Sequence, residues 1–127
     1  KLLLKNMKRI TEKEEEIMNL YWQHGPMFVK ELLEYYDEPR PHFNTISTFV
    51  RELESKGYLS HKAFGNTYQY IPIISREEYN SRKLKSVVEN YFNKSYLNAV
   101  STLVKDEDIS VDELKQLIAE IEHQNKK

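Results

Sequence analysis

The hydrophobic rhythm of this chain turns from helical to alternating at Gly57 and back to helical after Pro72. That single interruption limits the folds open to it, because a period of 3.6 and a period of two bury their apolar faces differently. Before Gly57, Thr11 and Glu14 form a capping box that predicts a helix from about Glu12 to His24, with Ile17, Leu20 and Tyr21 on one stripe. Gly25-Pro26 ends it. Val29, Leu32, Leu33 and Tyr36 predict a short second helix, closing before Pro39-Arg40-Pro41, where two prolines favour an extended turn. A third helix is expected from about Phe43, with Ile46, Phe49, Val50 and Leu53 facing inward and Gly57 as the residue just past its end. Residues 58–63 and 67–71 then alternate, with Phe64-Gly65-Asn66 as turn material, and read as a β-hairpin closed by Pro72.

Beyond the hairpin, Leu84, Val87, Val88, Tyr91 and Phe92 are spaced as one amphipathic face. Leu97, Val100, Leu103 and Val104 make a shorter stripe. Ser110 and Glu113 form a second capping box, opening a last helix with Leu114, Leu117, Ile118 and Ile121 on one side. The expected fold class is mainly α with a small β-hairpin. Three helices and a hairpin make a winged helix-turn-helix domain over residues 7–74, and a helical dimerisation region follows over residues 75–127. Residues 1–6 precede Met7, which has the setting of a natural start, and are expected to be an upstream segment outside the fold.

In helix-turn-helix proteins the second helix of the pair enters the major groove and offers side chains to base edges. On a helical wheel with Ile46 at zero, Asn44, Ser47, Thr48, Arg51 and Ser55 fall between roughly 100° and 200°, opposite the apolar stripe. Arginine forks onto guanine, Asn onto adenine, and Ser or Thr onto bases or phosphates. Asn44, Ser47, Thr48 and Arg51 are therefore the expected readers. Thr45, Arg40, Lys62 and Asn66 are expected to hold phosphates and set register, with His42 and His61 as further polar groups near the same surface.

The stretch from Asn44 through Arg51-Glu52-Leu53 to Lys62, followed by Tyr68-Gln69-Tyr70, resembles the penicillinase-repressor family, as does the opening from Ile10 to Trp22. The likeness covers nearly the whole chain, including the acidic Glu107-Asp108-Ile109-Ser110 entry to the last helix. It implies a homodimeric repressor that binds an inverted-repeat DNA operator and silences the genes downstream, as in antibiotic resistance. It also implies a regulatory protease that cuts the helical arm, at a place matching Thr102 and Leu103 here. Three departures stand out, the first being that the family's cut typically falls at an Asn-Phe bond whereas the matching pair here is Thr102-Leu103. Family recognition helices often carry basic residues where this chain has Asn44 and Ser47. The copper-responsive branch uses a cysteine-rich site, and this chain has no cysteine.

Dimerisation is expected through Leu84, Val87, Val88, Tyr91, Leu97, Val100, Leu103, Leu114, Leu117, Ile118 and Ile121. A two-fold dimer places two recognition helices on one DNA face about 34 Å apart, or a multiple of that. Charge qualifies the picture: 19 basic against 20 acidic residues exclude a general polyelectrolyte binder. In residues 39–70 the basic Arg40, Arg51, Lys56 and Lys62 stand against Glu52 and Glu54, while residues 106–122 carry seven acids and one lysine. The near-neutral total keeps open an alternative, a winged-helix protein-interaction module that does not bind DNA. The nine tyrosines allow a third reading, a regulator with a small-molecule pocket between wing and arm.

Other classes find no support. Without cysteine there is no disulfide and no thiolate metal site, which fits a reducing cytoplasm. His24, His42, His61 and His123 are scattered, so no metal and no cofactor are expected. The acidic run at Asp106, Glu107, Asp108, Asp112 and Glu113 lacks the glycine of a calcium loop. There is no phosphate-binding glycine loop and no nucleophile elbow, so no enzyme is expected. No apolar run reaches the 18 or so residues of a membrane span.

Overall fold

A computed structural model describes residues 8–125. The reading of residues 1–6 as an upstream segment, and of Met7 as a start, lies outside the described residues. Helix α1 (Glu12–His24) is followed by a two-residue strand β1 (Met27–Phe28), the short α2 (Val29–Leu33) and α3 (Phe43–Ser55). Strands β2 (Leu59–Phe64) and β3 (Thr67–Pro72) come next, then α4 (Arg76–Tyr91), α5 (Tyr96–Lys105) and α6 (Val111–Asn125). The architecture is mainly α, a winged helix followed by C-terminal helices, as the periodicity predicts.

One feature of the sheet differs from expectation. It has three strands in the order β1-β3-β2, all antiparallel, where a two-stranded hairpin was expected. Met27 pairs with Tyr70 and Phe28 with Gln69. A two-residue strand is too short to show alternation, but its backbone groups still need partners and the free edge of β3 supplies them. The hairpin loop is also tighter than expected. Phe64 pairs with Thr67, which leaves only Gly65 and Asn66 in the loop, and Gly65 takes φ 61°. A positive-φ glycine at the first of two loop positions suits the twist of the flanking strands.

The helix ends follow local chemistry. At α1 the Glu14 N–H donates to the Thr11 hydroxyl (3.2 Å) and the Thr11 N–H donates to the Glu14 carboxylate (2.8 Å). At the end of α3 the N–H of Tyr58 reaches the carbonyl of Leu53 (2.9 Å) and that of Gly57 reaches Glu54 (3.0 Å). This is a Schellman closure, with Gly57 at φ 91°. It sends the chain directly from α3 into β2.

Ile17, Met18 and Tyr21 of α1 meet Leu32 of α2, Ile46, Val50 and Leu53 of α3, and Leu59 and Tyr70 of the sheet in one core. Each fully buried large side chain contributes about 1.5–3 kcal/mol. Polar groups at the core's edge are satisfied: the Tyr21 hydroxyl donates to the Met27 carbonyl (3.2 Å) and the Trp22 indole N–H to the Ile74 carbonyl (2.8 Å). Glu14 is buried as well. Its carboxylate accepts from the Lys56 ammonium at 2.8 and 3.0 Å, pinning the start of α1 to the end of α3. Burial alone would raise the Glu14 pKa, but the hydrogen bonds from Lys56 and Thr11 outweigh it and hold the carboxyl below its ordinary value.

The chain divides into two compact units, the first ending at Arg82 and the second beginning at Lys83. The first unit takes in the start of α4. Tyr79 there packs on Trp22 (ring centroids 5.2 Å apart) and Tyr58 (5.9 Å), and its hydroxyl donates to the Glu15 carboxylate. A third capping box, Ser75 with Glu78, opens α4. In the second unit the Ser110–Glu113 capping box opens α6 as expected. There α5 ends in a Schellman closure with the non-glycine Glu107 at φ 64°.

Candidate nucleic-acid interface

Helix α3 starts without the usual Ser, Thr, Asp or Asn cap, because Pro41 and His42 occupy its approach. His42 fills the place: its ring Nδ1 accepts from the Asn44 N–H at 3.0 Å. One edge of this imidazole, expected as a polar group on the DNA surface, is thus committed to the helix end. Asn44, Thr45, Thr48 and Arg51 are exposed along α3. The Thr48 hydroxyl donates to the Asn44 carbonyl (2.9 Å) and accepts from one guanidinium nitrogen of Arg51 (3.3 Å). This contact orders Arg51 along the helix and leaves the rest of its five-donor fork for other partners.

Ser47, expected among the readers, is buried at 8% exposure. The wheel explains the correction. Ser47 lies at the border of the polar arc, about 60° from the buried Val50, close enough to the apolar side of α3 to be enclosed with it. The exposed polar row along α3 is therefore narrower than the wheel predicts, with Asn44, Thr48 and Arg51 on it.

Strand alternation sorts the wing residues. Leu59, His61 and Ala63 share one face of the sheet with Tyr68, Tyr70 and Pro72, their register partners. Ser60, Lys62 and Phe64 occupy the other. The first face carries the buried Leu59 and Tyr70 and turns toward α3; Lys62 lies on the outer face, its ammonium 5.5 Å from the Phe64 ring. Lys62 thus lies on the opposite face of the sheet from His61 and Tyr70, whereas Asn66 stands exposed at the wing tip. Arg40 is exposed ahead of α3, where its Nε donates to the Tyr36 carbonyl (3.3 Å) and lies 4.0 Å from Glu38.

The seam between the inner wing face and α3 holds His61, expected as a polar group near this surface, together with Glu54, Tyr68 and Tyr70, to which no contact role was assigned from sequence. His61 Nδ1 lies 2.6 Å from a Glu54 carboxylate oxygen, bridging β2 to α3. The Tyr68 ring stacks on His61, centroids 4.2 Å apart and planes 19° off parallel. Burial pushes the Tyr70 phenol pKa up, the Glu54 carboxylate adds to the rise and Arg51 opposes it. The alternation of Tyr68 and Tyr70 in β3 carried the signal for this cluster. The contact to Glu54 had no local signature.

In the second unit Leu84, Val87, Tyr91, Leu97, Val100, Leu103, Leu117, Ile118 and Ile121 are exposed, up to 83% at Leu97, and Leu114 is half-buried. Val88 differs: at 4% exposure it is already covered within the single chain. Thr102 and Leu103 sit inside α5, where the Thr102 hydroxyl donates to the Asn98 carbonyl (2.9 Å). An open depression of 340 Å³ is lined by Glu16, Asn19, Leu20, Tyr35, Tyr36 and Asp37, residues of α1 and of the segment after α2. No helix among the described residues is long and apolar enough to cross a membrane, and no three of their His, Asp or Glu side chains gather as metal ligands.

A family model described as penicillinase repressor matches residues 10–123. The chain is 25% identical over 126 residues to the penicillinase repressor of Bacillus licheniformis, covering 98% of each chain. It is 24% identical over 109 residues to the methicillin resistance regulatory protein MecI of Mammaliicoccus sciuri, covering 85% of this chain and 89% of the relative. Against MecI of Staphylococcus aureus strain N315 the identity is 23% over the same length and coverage.

Proposed function

This chain belongs to the penicillinase repressor family, and from that premise we propose that it is a dimeric repressor of antibiotic-resistance genes that binds an inverted-repeat operator in the cytoplasm. The observation that carries the reading is the exposed row of Asn44, Thr48 and Arg51 on α3, flanked by a wing anchored to the same helix. Asn and Arg are the side chains suited to forking onto adenine and guanine in the major groove. Thr45, Arg40 and Asn66 are the proposed phosphate contacts, which fix register without reading sequence. Lys62 on the outer wing face contributes to the general field.

A second copy of the chain is the proposed cover for the arm. Large apolar side chains exposed together, among them Leu97, Leu117 and Ile118, are a poor surface for a monomer. Pairing also doubles the phosphate contacts available to a nearly neutral protein. Release is proposed to follow cutting at Thr102–Leu103. That bond lies within α5, so the helix must open locally before a protease can take the strand in extended form. Such opening is drawn from the less stable parts of a fold, and it separates the winged unit from α6.

Fluorescence anisotropy with duplexes from the DNA upstream of the gene, against scrambled duplexes of equal length, tests the reading. The expected result is preference for one upstream duplex and steep weakening with salt, since neutralised phosphates release counterions. Equal binding to both, with little dependence on salt, would instead favour a protein-interaction module.

A further inference from the structure

Glu54 is an anion on the helix proposed to enter the groove, where Coulomb's law alone makes it a liability against phosphates. Its side chain is 31% exposed and that of His61 is 35% exposed, so the pair sits on the seam between α3 and the wing. An ionised carboxylate only accepts hydrogen bonds, so at 2.6 Å the His61 Nδ1 carries the proton and donates it. Charge-assisted bonds of this length are among the strong ones. The bond joins the last turn of α3 to the third residue of β2. Beyond this point the wing has no buried residue: from His61 to Tyr68 every side chain is exposed. Core packing therefore ends at Leu59 and Tyr70, and cannot set the angle of the wing tip. The stack of Tyr68 on His61 passes the constraint across to β3.

We infer that Glu54, acting through His61, is the positioning residue that fixes the wing over the reading face of α3, and so decides whether wing and helix contact one DNA duplex together. The inference rests on the operator-binding reading above. It explains why an acid is compatible with this surface: the charge is spent on orientation, next to Arg51, and not presented to the backbone of the DNA.

The test uses the full chain and a fluorescein-labelled duplex enriched from a random-sequence pool on the unaltered protein, with a scrambled duplex as control. Removing a negative charge should, by charge alone, tighten binding to both duplexes. If Glu54 positions the wing, Glu54→Ala instead weakens binding to the enriched duplex by about tenfold, with the scrambled duplex unchanged or bound more tightly. His61→Leu should weaken it similarly, and the double variant should be no worse than either single one, as expected for two members of one bond. Glu54→Gln, which keeps an acceptor for the His61 N–H, should restore most of the loss. Tighter binding of both duplexes by Glu54→Ala, additive losses in the double variant, or no rescue by Gln would each overturn the inference. Equal loss on both duplexes, accompanied by a lower melting temperature, would also overturn it by assigning Glu54 to stability alone. If the unaltered protein enriches no sequence, the operator reading itself fails, and the inference falls with it by a separable route.

Discussion

Arg51 is held along the exposed side of α3 by one short neighbour, because Thr48 accepts from its guanidinium and thereby limits the rotamers that would otherwise have to be ordered on binding. Arg51→Ala is expected to weaken operator binding by about 1–3 kcal/mol and to relax discrimination at one base pair, measured by anisotropy with single-base variants of the duplex. An unchanged affinity would remove Arg51 from the readers. Lys56 and Glu14 pose a different problem at the same scale. Glu14 is almost fully enclosed, so Lys56→Met strands a buried carboxylate and is expected to cost about 3 kcal/mol in urea unfolding near neutral pH. The sign with pH follows from the lowered pKa of Glu14. A carboxyl depressed in the folded state stabilises above its unfolded pKa, and that contribution is lost as pH falls through the folded one. The gap between the two proteins should therefore narrow on acidification below the ordinary carboxylate range, about pH 4.

Two helix ends allow a comparison of elements built on the same closure. At the end of α3 the left-handed position is filled by Gly57, and at the end of α5 by Glu107. Gly57→Ala places a Cβ at φ 91° and should lower stability by about 1–2 kcal/mol. Glu107→Gly relieves the same conflict, but frees the unfolded chain, and should raise stability by about 0.5–1 kcal/mol. Thermal melting of both variants checks the pair, and a fall in melting temperature for Glu107→Gly would count against the closure as described. Most helices announced themselves in sequence because their signals are local: a capping box needs only residues three apart, and a stripe only three or four. Strand β1 did not, since two residues carry no period and its pairing is made by β3, more than forty residues away. Ser47 was misplaced for a related reason. The wheel marks a border position, but only the packing of other elements around α3 decides on which side of the border it falls.

For the whole molecule the decisive surface is the one the single chain leaves uncovered. The apolar side chains of α5 and α6 stand exposed next to acids at Asp106, Glu107 and Asp108, which would repel DNA and keep the arm off it. Sedimentation equilibrium is expected to give a dimer at micromolar concentration. Leu117→Glu together with Ile121→Glu should return it to a monomer, because charges cannot be buried unpaired in such a seam. The same double variant should bind a two-half-site duplex far more weakly, while keeping the melting behaviour of the winged unit. A monomeric unaltered protein would overturn the dimer reading without touching the reading face of α3.

What the sequence by itself determined were the features carried by neighbours: the helices and their caps, the hairpin, the order that makes a winged helix, and the polar face centred on Asn44, Thr48 and Arg51. What only the tertiary structure decided were relations between residues distant along the chain. These are the third strand, the burial of Ser47 and Val88, the outward placement of Lys62, the Lys56–Glu14 pair and the Glu54–His61 bond across the helix–wing seam. The division has a physical cause. Periodicity fixes which side of an element is apolar, whereas contacts between elements depend on packing angles and register, which no short window of sequence contains.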